Sequence, residues 1–310
     1  MTNNNLTSKL IILGSGPAAL TAAIYGARAN LKPIVVQGPS PGGQLMTTSY
    51  VENWPGEISI MGPELISRLE KHAKYFGAEF LSRNITCVDF NNKFSLITEK
   101  NEVLWADSVI IATGSTFKKL NCKGEDKYWG KGVNTCAVCD GVFYKDKPVV
   151  IVGGGDSAAE NAAFMTQFTD NITMIHILPK LTASYSMQNK ILNNKKINIL
   201  YNSIVTEIAG DDKHIKKVII KNLQTNKEFD IDASAVFVSI GLTPNTDIFK
   251  GQLELNDYGY IILKNHTQTS KEGIFAAGDV SDFRYKQAIT SAGTGCAAAI
   301  DAERYLFEKF

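Results

Sequence analysis

The chain has 310 residues, of which 44% are apolar and 20% are charged, and its net charge at neutral pH is +1. This length suits about two domains with their own cores, and the near-neutral charge gives no basic surface of the kind that binds nucleic acid. The start of the chain is polar, and the apolar run that follows is too short for a signal-peptide core or a membrane-spanning helix. We therefore expect a cytoplasmic protein that binds neither nucleic acid nor a membrane.

The first predicted elements are an apolar strand, a glycine-rich turn and a helix, in the sequence KLIILGSGPAALTAAIYGARA from Lys9. A second strand, PIVVQ from Pro33, completes a βαβ unit. The turn has the spacing G-x-G-x-x-A, in which Gly14 permits the tight turn, Gly16 lets the backbone approach a pyrophosphate, and Ala19 allows close helix packing. The N-terminus of the helix then offers N–H groups to the anion.

A stretch rich in predicted strands follows from Ile85 to Ser115. Its apolar and polar residues alternate as in a sheet with one solvated face, and it ends in Ala112, Thr113 and Gly114.

The next motif, CAVCDG, contains Cys136, Cys139 and Asp140. A zinc site needs two more ligands at suitable spacing, which the scattered histidines do not offer. A static disulfide is unusual in a reducing cytosol and would close a very short loop. The motif therefore favours a redox-active dithiol, in which Asp140 is a candidate proton donor or, alternatively, a helix cap. We expect the other cysteines to be small buried hydrophobic residues: Cys87, Cys122 and Cys296.

A second βαβ unit begins at Lys147, in KPVVIVGGGDSAAENAAFMTQF, and continues into NITMIHI from Asn171. Gly153, Gly155 and Ala158 occupy the same three positions as the residues of the first turn. Two copies of the fingerprint imply two dinucleotides, or one dinucleotide and a degenerate second copy.

The late strand in GIFAAGDV, from Gly273, and the helix predicted in KQAITSAGTGCAAAIDAERYLF complete the first domain. The predicted fold class is therefore α/β, with two Rossmann-like three-layer dinucleotide-binding domains, the second inserted into the first. The expected boundaries are residues 1–116 and 246–310 for the first domain and residues 117–245 for the second.

The motifs GSGPAA, GGQL, VENWPG, IIATG, CAVCDG, GGGDSA, IGLTPNT, FAAGD and KQAITSAGTG occur in this order. In this combination the chain resembles the bacterial-type, low-molecular-weight thioredoxin reductases, which are flavoprotein pyridine nucleotide-disulfide oxidoreductases. The resemblance implies a homodimeric enzyme with FAD at the first fingerprint and NADPH at the second. Electrons would pass from NADPH through FAD and the Cys136–Cys139 pair to thioredoxin, with Cys139 nearer the flavin, Cys136 attacking the substrate disulfide and Asp140 as the acid.

The resemblance also implies that the second domain rotates, because the dithiol and the nicotinamide cannot both lie on the flavin. It implies no metal site. It places FAD contacts at Gly14, Gly16, Pro17, Ala18, Ala19, Gln37, Gly43, Gln44, Asn53, Thr113, Gly114, Gly278, Asp279, Lys286, Gln287 and Ala288. It places nicotinamide-nucleotide contacts at Gly153, Gly155, Asp156, Ser157, Ala158, His176 and Lys180.

The sequence departs from this family in the stretch HILPKLTAS, which begins at His176. The family typically has arginines where this chain has Ile177, Leu178 and Thr182, and these arginines hold the 2′-phosphate of NADPH. Because arginine is the preferred bidentate partner of phosphate, we predict reduced NADPH affinity or weaker discrimination against NADH. The alternative is that Lys180 or residues elsewhere supply the charge. Gln37 is a smaller departure, since an acid usually contacts the adenosine ribose there.

Other functions of the same fold stay open. An FAD-dependent dithiol oxidase that uses oxygen is favoured by the altered HILPKLTAS stretch but disfavoured by the intact GGGDSA turn. A ferredoxin-dependent disulfide reductase would lack both nicotinamide motifs, and only one is altered here. A non-catalytic flavin-binding scaffold would tolerate loss of the dithiol, but both cysteines are present.

Overall fold

The structure is a computed structural model, and it describes residues 6–48, 50–91 and 93–309. Its strands, in chain order, are β1 (Leu6–Leu13), β2 (Ile34–Val36), β3 (Tyr50–Val51), β4 (Ile60–Met61), β5 (Glu79–Leu81), β6 (Ile85–Asp89), β7 (Phe94–Thr98), β8 (Val103–Ile111), β9 (Ser115–Phe117), β10 (Val133–Asn134), β11 (Val149–Val152), β12 (Ile172–Ile175), β13 (Ile197–Leu200), β14 (Ser203–Gly210), β15 (Ile215–Asn222), β16 (Glu228–Asp232), β17 (Ala235–Val238), β18 (Leu242–Pro244) and β19 (Ile274–Ala276). Its helices are α1 (Pro17–Arg28), α2 (Gly62–Tyr75), α3 (Glu125–Tyr128), α4 (Ala137–Asp140), α5 (Asp156–Met165), α6 (Tyr185–Leu192) and α7 (Ala288–Lys309). Short 3-10 helices span Gly43–Thr47, Gly141–Tyr144, Asp247–Phe249 and Gly278–Val280.

The chain folds as two compact units, the second of which is inserted into the first. The first unit comprises the chain up to Thr48, Trp54–Thr116 and the chain from Thr243 onward. The second comprises Phe117–Leu242 and a short segment that ends at Asn53. The Asn245 N–H donates to the Gly114 carbonyl at 3.0 Å, which ties this part of the chain to the first unit.

The first unit is built on a sheet with the strand order β5-β2-β1-β8-β7-β6, and β19 pairs with β8. The βαβ strands β1, β2 and β5 are parallel to one another and to β8 and β19, whereas β6, β7 and β8 form an antiparallel meander. Consecutive residues of β1 from Leu10 to Leu13 are all buried, which shows that both faces of this strand are covered.

Small residues cover one face of this sheet and bring the helices close to it. Buried alanines of α1 and α7 pack together in the core, and a Cβ at Gly295 would lie 2.1 Å from the Ala18 carbonyl oxygen. On the other face, Phe90 stacks on Phe249 at a centroid distance of 6.2 Å and meets Phe94 edge-on at 5.9 Å. These two cores make the unit a three-layer structure.

The second unit repeats this plan with a five-stranded parallel sheet in the order β10-β17-β11-β12-β13. The helix α5 packs on one face through buried residues that include Ala158, Ala162 and Met165. The antiparallel sheet β14-β15-β16 covers the other face through Val205, Val218 and further apolar residues. The α/β fold class with two three-layer units is therefore confirmed, and in the second unit the layer opposite α5 is a separate antiparallel sheet.

Helix α7 begins at Ala288, two residues later than the motif KQAITSAGTG suggests, because Lys286 has the left-handed backbone angle φ +52°. Within residues 6–48, 50–91 and 93–309, no helix combines the length and apolar character that a membrane crossing requires.

Candidate functional site

The turn between β1 and α1 requires glycine at its first position. Gly14 has φ +115°, and a Cβ there would lie 2.1 Å from the Ala112 carbonyl oxygen. Its N–H donates to the Val36 carbonyl at 2.8 Å, which ties the turn to the end of β2. A side chain at this position would be strained and would collide with the neighbouring strand end.

The second glycine of this turn leaves its surroundings open. A Cβ at Gly16 would meet no atom within 4 Å, and the nearest neighbour of Gly43 is the Gly16 Cα, 3.6 Å from the position of its Cβ. Gly16 caps α1 without a side-chain hydrogen bond, and the first turn of α1 contains no acidic residue. Backbone N–H groups and an uncompensated positive dipole end therefore face an open approach, which fits a pyrophosphate.

Asp279 brings three distant motifs together beside this turn. Its Oδ1 accepts a hydrogen bond from Ser291 Oγ at 3.2 Å, and its Oδ2 accepts from Ser115 Oγ at 3.4 Å and Gln44 Nε2 at 3.5 Å. Gln44 Nε2 also donates to the Ser115 carbonyl at 2.8 Å. Gly278 packs close to the Ala18 methyl group, with 3.0 Å from its would-be Cβ. Burial is the main cause that raises the pKa of Asp279.

Asn245 holds the Ala-Thr-Gly turn, and the sequence analysis missed this residue. Thr113 Oγ1 donates to the Asn245 carbonyl at 2.8 Å, and Asn245 Nδ2 donates to the Thr113 carbonyl at 2.9 Å. Gly114 follows with φ +67°. The only signal in the sequence was the polar pair Asn245-Thr246 inside the motif IGLTPNT.

Gln37 lies at the end of β2, and its Oε1 accepts a hydrogen bond from Ser82 Oγ at 2.9 Å. Ser15, which the sequence analysis also missed, donates through Oγ to the Gln37 carbonyl at 3.0 Å and accepts from the Gly42 N–H at 2.9 Å. Ser15 thereby joins the first turn to the glycine pair before Gln44.

The remaining residues expected to contact the flavin lie in two separate places in the chain. Lys286 and Gln287 follow a turn that Asp282 closes, since Asp282 Oδ2 accepts from the Lys286 N–H at 3.1 Å. Gln287 Nε2 donates to the Tyr285 carbonyl at 3.3 Å. Asn53 belongs to the segment that groups with the second unit, so its proximity to Gln44 stays a prediction.

The turn between β11 and α5 repeats the first one. Gly153 has φ +141°, and a Cβ there would lie 2.3 Å from the Ser239 carbonyl oxygen. Gly155 caps α5 without a side-chain hydrogen bond, and Ala158 is fully buried. The first turn of α5 differs in carrying an acid, Asp156, whose Oδ1 accepts a hydrogen bond from the Ser184 N–H at 2.8 Å.

The side chain of His176 packs against the backbone of this turn at Gly154. It is only 6% exposed, and a Cβ at Gly154 would lie 2.3 Å from its Nδ1. Its Nε2 is buried and has no hydrogen-bond partner among the described residues. Burial lowers the pKa of His176 from its ordinary value, so the imidazole is neutral at pH 7. His176 therefore supplies shape at this position rather than positive charge.

The two cysteines of CAVCDG form a disulfide, with Cα atoms 5.3 Å apart. Cys136 caps the short helix α4, and its Sγ accepts a hydrogen bond from the Cys139 N–H at 3.2 Å. An N–H group aimed at sulfur favours a thiolate, so this hydrogen bond favours ionisation of Cys136 when the pair is reduced.

Asn161 anchors this motif to α5, and the sequence analysis missed it. Its Oδ1 accepts from the Ala137 N–H at 3.1 Å, and its Nδ2 donates to Ser239 Oγ at 2.8 Å and to the Thr135 carbonyl at 3.4 Å. The signal available in the sequence was a lone amide among the alanines of SAAENAAF. Asn161 positions the dithiol relative to the glycine-rich turn that begins the same helix.

We predict that Asn161→Leu raises the reduction potential of the Cys136–Cys139 pair by about 30 mV, which is tenfold in the equilibrium constant. Without the amide, the buried Ala137 N–H loses its partner and the sulfurs are held together less well, so stability also falls by about 1–3 kcal/mol. Titration of the dithiol against a glutathione buffer measures the potential. Asn189→Leu, on the exposed side of α6, is the control. A loss of stability without a change in potential would show that Asn161 is merely structural.

Asp140 lies directly after the disulfide, and its N–H donates to the Cys136 carbonyl at 3.1 Å. Its side chain makes no capping hydrogen bond, which disfavours the helix-cap interpretation. Burial raises the pKa of Asp140 to about 6. A carboxylic acid with this pKa can hold a proton close to neutral pH and release it to a nearby thiolate.

The expectation for the other cysteines was partly wrong. Cys87 is exposed, because it lies on the solvated side of β6, and Cys122 and Cys296 are half-buried rather than buried. Burial raises the pKa of the Cys122 thiol to about 11, which makes it unreactive. In the part of the chain that the structure describes, no group of His, Cys, Asp and Glu is arranged to hold a metal ion.

Comparison with known proteins places these features in a family. The family described as "Pyridine nucleotide-disulphide oxidoreductase" matches residues 8–295. The thioredoxin reductase of Coxiella burnetii is 45% identical over 306 residues, covering 96% of each chain. That of Buchnera aphidicola is 46% identical over 310 residues, covering 96% of this chain and 97% of the relative.

Solved structures agree with the sequence matches. Thioredoxin reductase from Giardia duodenalis superimposes with a TM-score of 0.93 at 43% identity, covering 98% of this chain and 100% of that one. The enzyme from Streptococcus pyogenes gives a TM-score of 0.92 at 36% identity, with the same coverage. The resemblance inferred from the order of motifs is thereby confirmed. The chain belongs to the pyridine nucleotide-disulphide oxidoreductases and, among them, to the thioredoxin reductases.

Proposed function

We propose that the protein is an FAD-dependent thioredoxin-disulfide reductase that works as a homodimer in the cytoplasm. Electrons pass from NAD(P)H through FAD and the Cys136–Cys139 pair to oxidised thioredoxin. Members of this family bind FAD and use NADPH. The observation that carries the proposal is the disulfide held by Asn161 to the helix that begins at the second glycine-rich turn. One helix thus connects a nucleotide-binding turn with an exchangeable sulfur pair.

The first unit is proposed to hold FAD. The open approach at Gly16 and the uncapped N-terminus of α1 suit its pyrophosphate. The Asp279 carboxyl, held by Ser291 and Gln44, suits the hydroxyl groups of its ribityl chain. When bound, FAD accepts a hydride from the nicotinamide and returns two electrons to a disulfide. The first turn of α1 contains no acidic residue that would repel the pyrophosphate.

The two cysteines are proposed to have different roles, in which Cys136 attacks the substrate and Cys139 resolves the mixed disulfide. The Cys136 thiolate attacks the substrate disulfide, forming a mixed disulfide and releasing one substrate thiolate, which takes up a proton. Cys139 then attacks Cys136 Sγ, which frees the second substrate thiolate and restores the disulfide of the enzyme. The Cys139 N–H directed at Cys136 Sγ supports this assignment of the nucleophile. Two electrons and two protons reach the substrate in each cycle.

We predict that Asp140→Asn lowers the kcat for thioredoxin reduction by about 10- to 100-fold, because the amide keeps the shape but cannot donate a proton. The protonated form of Asp140 is the donor, so the wild-type rate attributable to it falls as the pH rises through about 6. In Asp140→Asn this limb of the pH profile is lost. Asp126→Asn, at an exposed position of the same unit, is the control. An unchanged pH profile in Asp140→Asn would contradict the assignment.

The same substitution tests the burial of Asp140 independently of catalysis. The pKa of Asp140 is about 6 in the folded protein and about 3.9 in the unfolded chain. Ionisation of Asp140 therefore lowers the free energy of unfolding as the pH rises from about 3.9 to about 6, and this loss is complete above about 6. Asp140→Asn should therefore raise the free energy of unfolding at pH 8 by about 1–2 kcal/mol, allowing for partial solvent screening, and have little effect near pH 3.5.

Anaerobic mixing of the holoenzyme with NADPH or NADH, followed by oxidised thioredoxin, tests the proposed function. We expect bleaching of the flavin absorbance and then the appearance of two thiols per thioredoxin. Oxygen consumption with a small dithiol, without thioredoxin reduction, would favour the dithiol oxidase. Bleaching by reduced ferredoxin alone would favour the ferredoxin-dependent reductase. Sedimentation of the holoenzyme tests the dimer.

A further inference from the structure

We infer that this enzyme does not select NADPH strongly over NADH, because the loop after β12 presents apolar side chains where a 2′-phosphate would need cations. The inference rests on the proposed function of the second unit as the nicotinamide-nucleotide domain. It concerns specificity alone, so the electron path through the dithiol does not depend on it.

The loop after β12 lies where a βαβ domain reads the adenosine ribose. In such domains the discriminating residue follows the second strand, about 20 positions after the glycine-rich turn. Here β12 ends at Ile175, and His176 begins the loop. An acid at this place binds the ribose hydroxyls of NADH, and an arginine nearby accommodates the 2′-phosphate of NADPH.

Hydrogen bonds fix this loop directly against the turn. The N–H groups of Thr182 and Ala183 donate to the Gly154 carbonyl at 2.8 and 2.9 Å. The Ser184 N–H donates to Asp156 Oδ1 at 2.8 Å. Thr182 Oγ1 lies 3.7 Å from the position that a Cβ of Gly155 would take. The side chains of the loop are therefore neighbours of whatever occupies the turn.

The two side chains at the start of the loop, Ile177 and Leu178, cannot bind a phosphate. Ile177 is 56% exposed and Leu178 is 46% exposed, and neither has a polar side-chain atom. A 2′-phosphate placed beside them would lose hydration without gaining hydrogen bonds. His176 gives no help, since it is buried beneath Gly154 and its imidazole is neutral at pH 7.

The charges that remain near the loop nearly offset each other. Lys180 is the one basic residue between His176 and Ser184, and its ammonium is a single point charge on a flexible stem rather than a bidentate group. Asp156, exposed at the first turn of α5, has the same sign as the 2′-phosphate. The loop also has no acid for the ribose of NADH. Weak selection in either direction follows from these residues.

Binding of two adenine nucleotides to the FAD-loaded enzyme tests the inference without any turnover. Isothermal titration with 2′,5′-ADP and with 5′-ADP at fixed ionic strength measures what the 2′-phosphate contributes. We expect the two Kd values to differ by less than about 30-fold. A larger preference for 2′,5′-ADP overturns the inference and leaves the proposed function intact. If neither nucleotide binds at millimolar concentration, the proposed nicotinamide site is wrong and the inference falls with it.

A gain of selectivity supplies the complementary test. In Ile177→Arg/Leu178→Arg we expect 2′,5′-ADP to bind about 10- to 100-fold more tightly, with 5′-ADP unchanged, because two guanidinium groups then reach the phosphate. The control is Leu192→Arg/Leu223→Arg, which adds the same charge at exposed positions outside the loop. An equal gain in the control would overturn the assignment of this loop. So would a Lys180→Ala variant that loses 2′,5′-ADP binding by more than about 30-fold, since Lys180 alone would then select the phosphate.

Discussion

Replacing Cys139 by serine is expected to lower thioredoxin reduction by at least about 10³-fold, the loss typical of removing an essential nucleophile. Without Cys139 the enzyme disulfide cannot form, and a mixed disulfide at Cys136 cannot be resolved internally. Bleaching of the flavin by the nicotinamide should persist, because the residues of both glycine-rich turns are untouched. Thiol titration of thioredoxin and anaerobic flavin spectra measure the two effects separately.

The Cys139→Ser variant should also accumulate a mixed disulfide with thioredoxin through Cys136, visible on a non-reducing gel. Cys136→Ser should form none, since the sulfur that receives the backbone N–H has been removed. Cys87→Ser is the matched control, because it makes the same change at an exposed cysteine outside the motif. Thioredoxin reduction that survives in Cys139→Ser would show that electrons reach thioredoxin without the Cys136–Cys139 pair, and it would overturn the proposed electron path.

Two alanine substitutions in the first glycine-rich turn should separate folding from flavin binding. Gly14→Ala is expected to destabilise the first unit by about 3–5 kcal/mol, since it combines an unfavourable φ with a collision at the Ala112 carbonyl. Gly16→Ala should change stability by less than about 0.5 kcal/mol, because its φ is −79° and its Cβ meets no atom. The methyl group of Gly16→Ala nevertheless occupies the approach of the pyrophosphate, and FAD affinity should fall by about 100-fold or more.

Flavin content of the purified protein and thermal unfolding with excess FAD distinguish the two variants. Gly77→Ala is the control for Gly14→Ala: it has φ +97°, but a Cβ there would meet nothing within 4 Å. It isolates the cost of the backbone angle, about 1–2 kcal/mol. Full flavin content in Gly16→Ala would show that the pyrophosphate of FAD does not lie against this turn. A loss of stability in Gly14→Ala no larger than that in Gly77→Ala would show that the contact with the Ala112 carbonyl costs nothing.

Much of the fold was predictable because its constraints are local. Gly14 and Gly153 each face a carbonyl at a positive φ, where only glycine fits, so the glycine spacing marks both βαβ units. The alternation from Ile85 to Ser115 likewise anticipates β6, β7 and β8. The α/β class, the family and its cofactors follow from these motifs in their order and are confirmed.

The parts that escaped prediction depend on contacts between distant residues. Asn161 meets Ala137 across 24 positions and Asn245 meets Thr113 across 132, and the polar residues that signal them do not indicate which distant partner they contact. The exposure of Cys87 depends on which side of the meander faces solvent, which alternation alone does not assign. The domain boundaries stay a prediction, and so do the individual cofactor contacts, which depend on the bound FAD and nicotinamide nucleotide.

Helix α5 has one more consequence. The glycine-rich turn lies at its start, and Asn161, about 9 Å further along the axis at 1.5 Å per residue, holds the beginning of the sulfur motif. A rigid-body movement of α5 therefore moves both groups together. A substitution that alters the position of α5 should therefore affect nucleotide binding and thiol–disulfide exchange together.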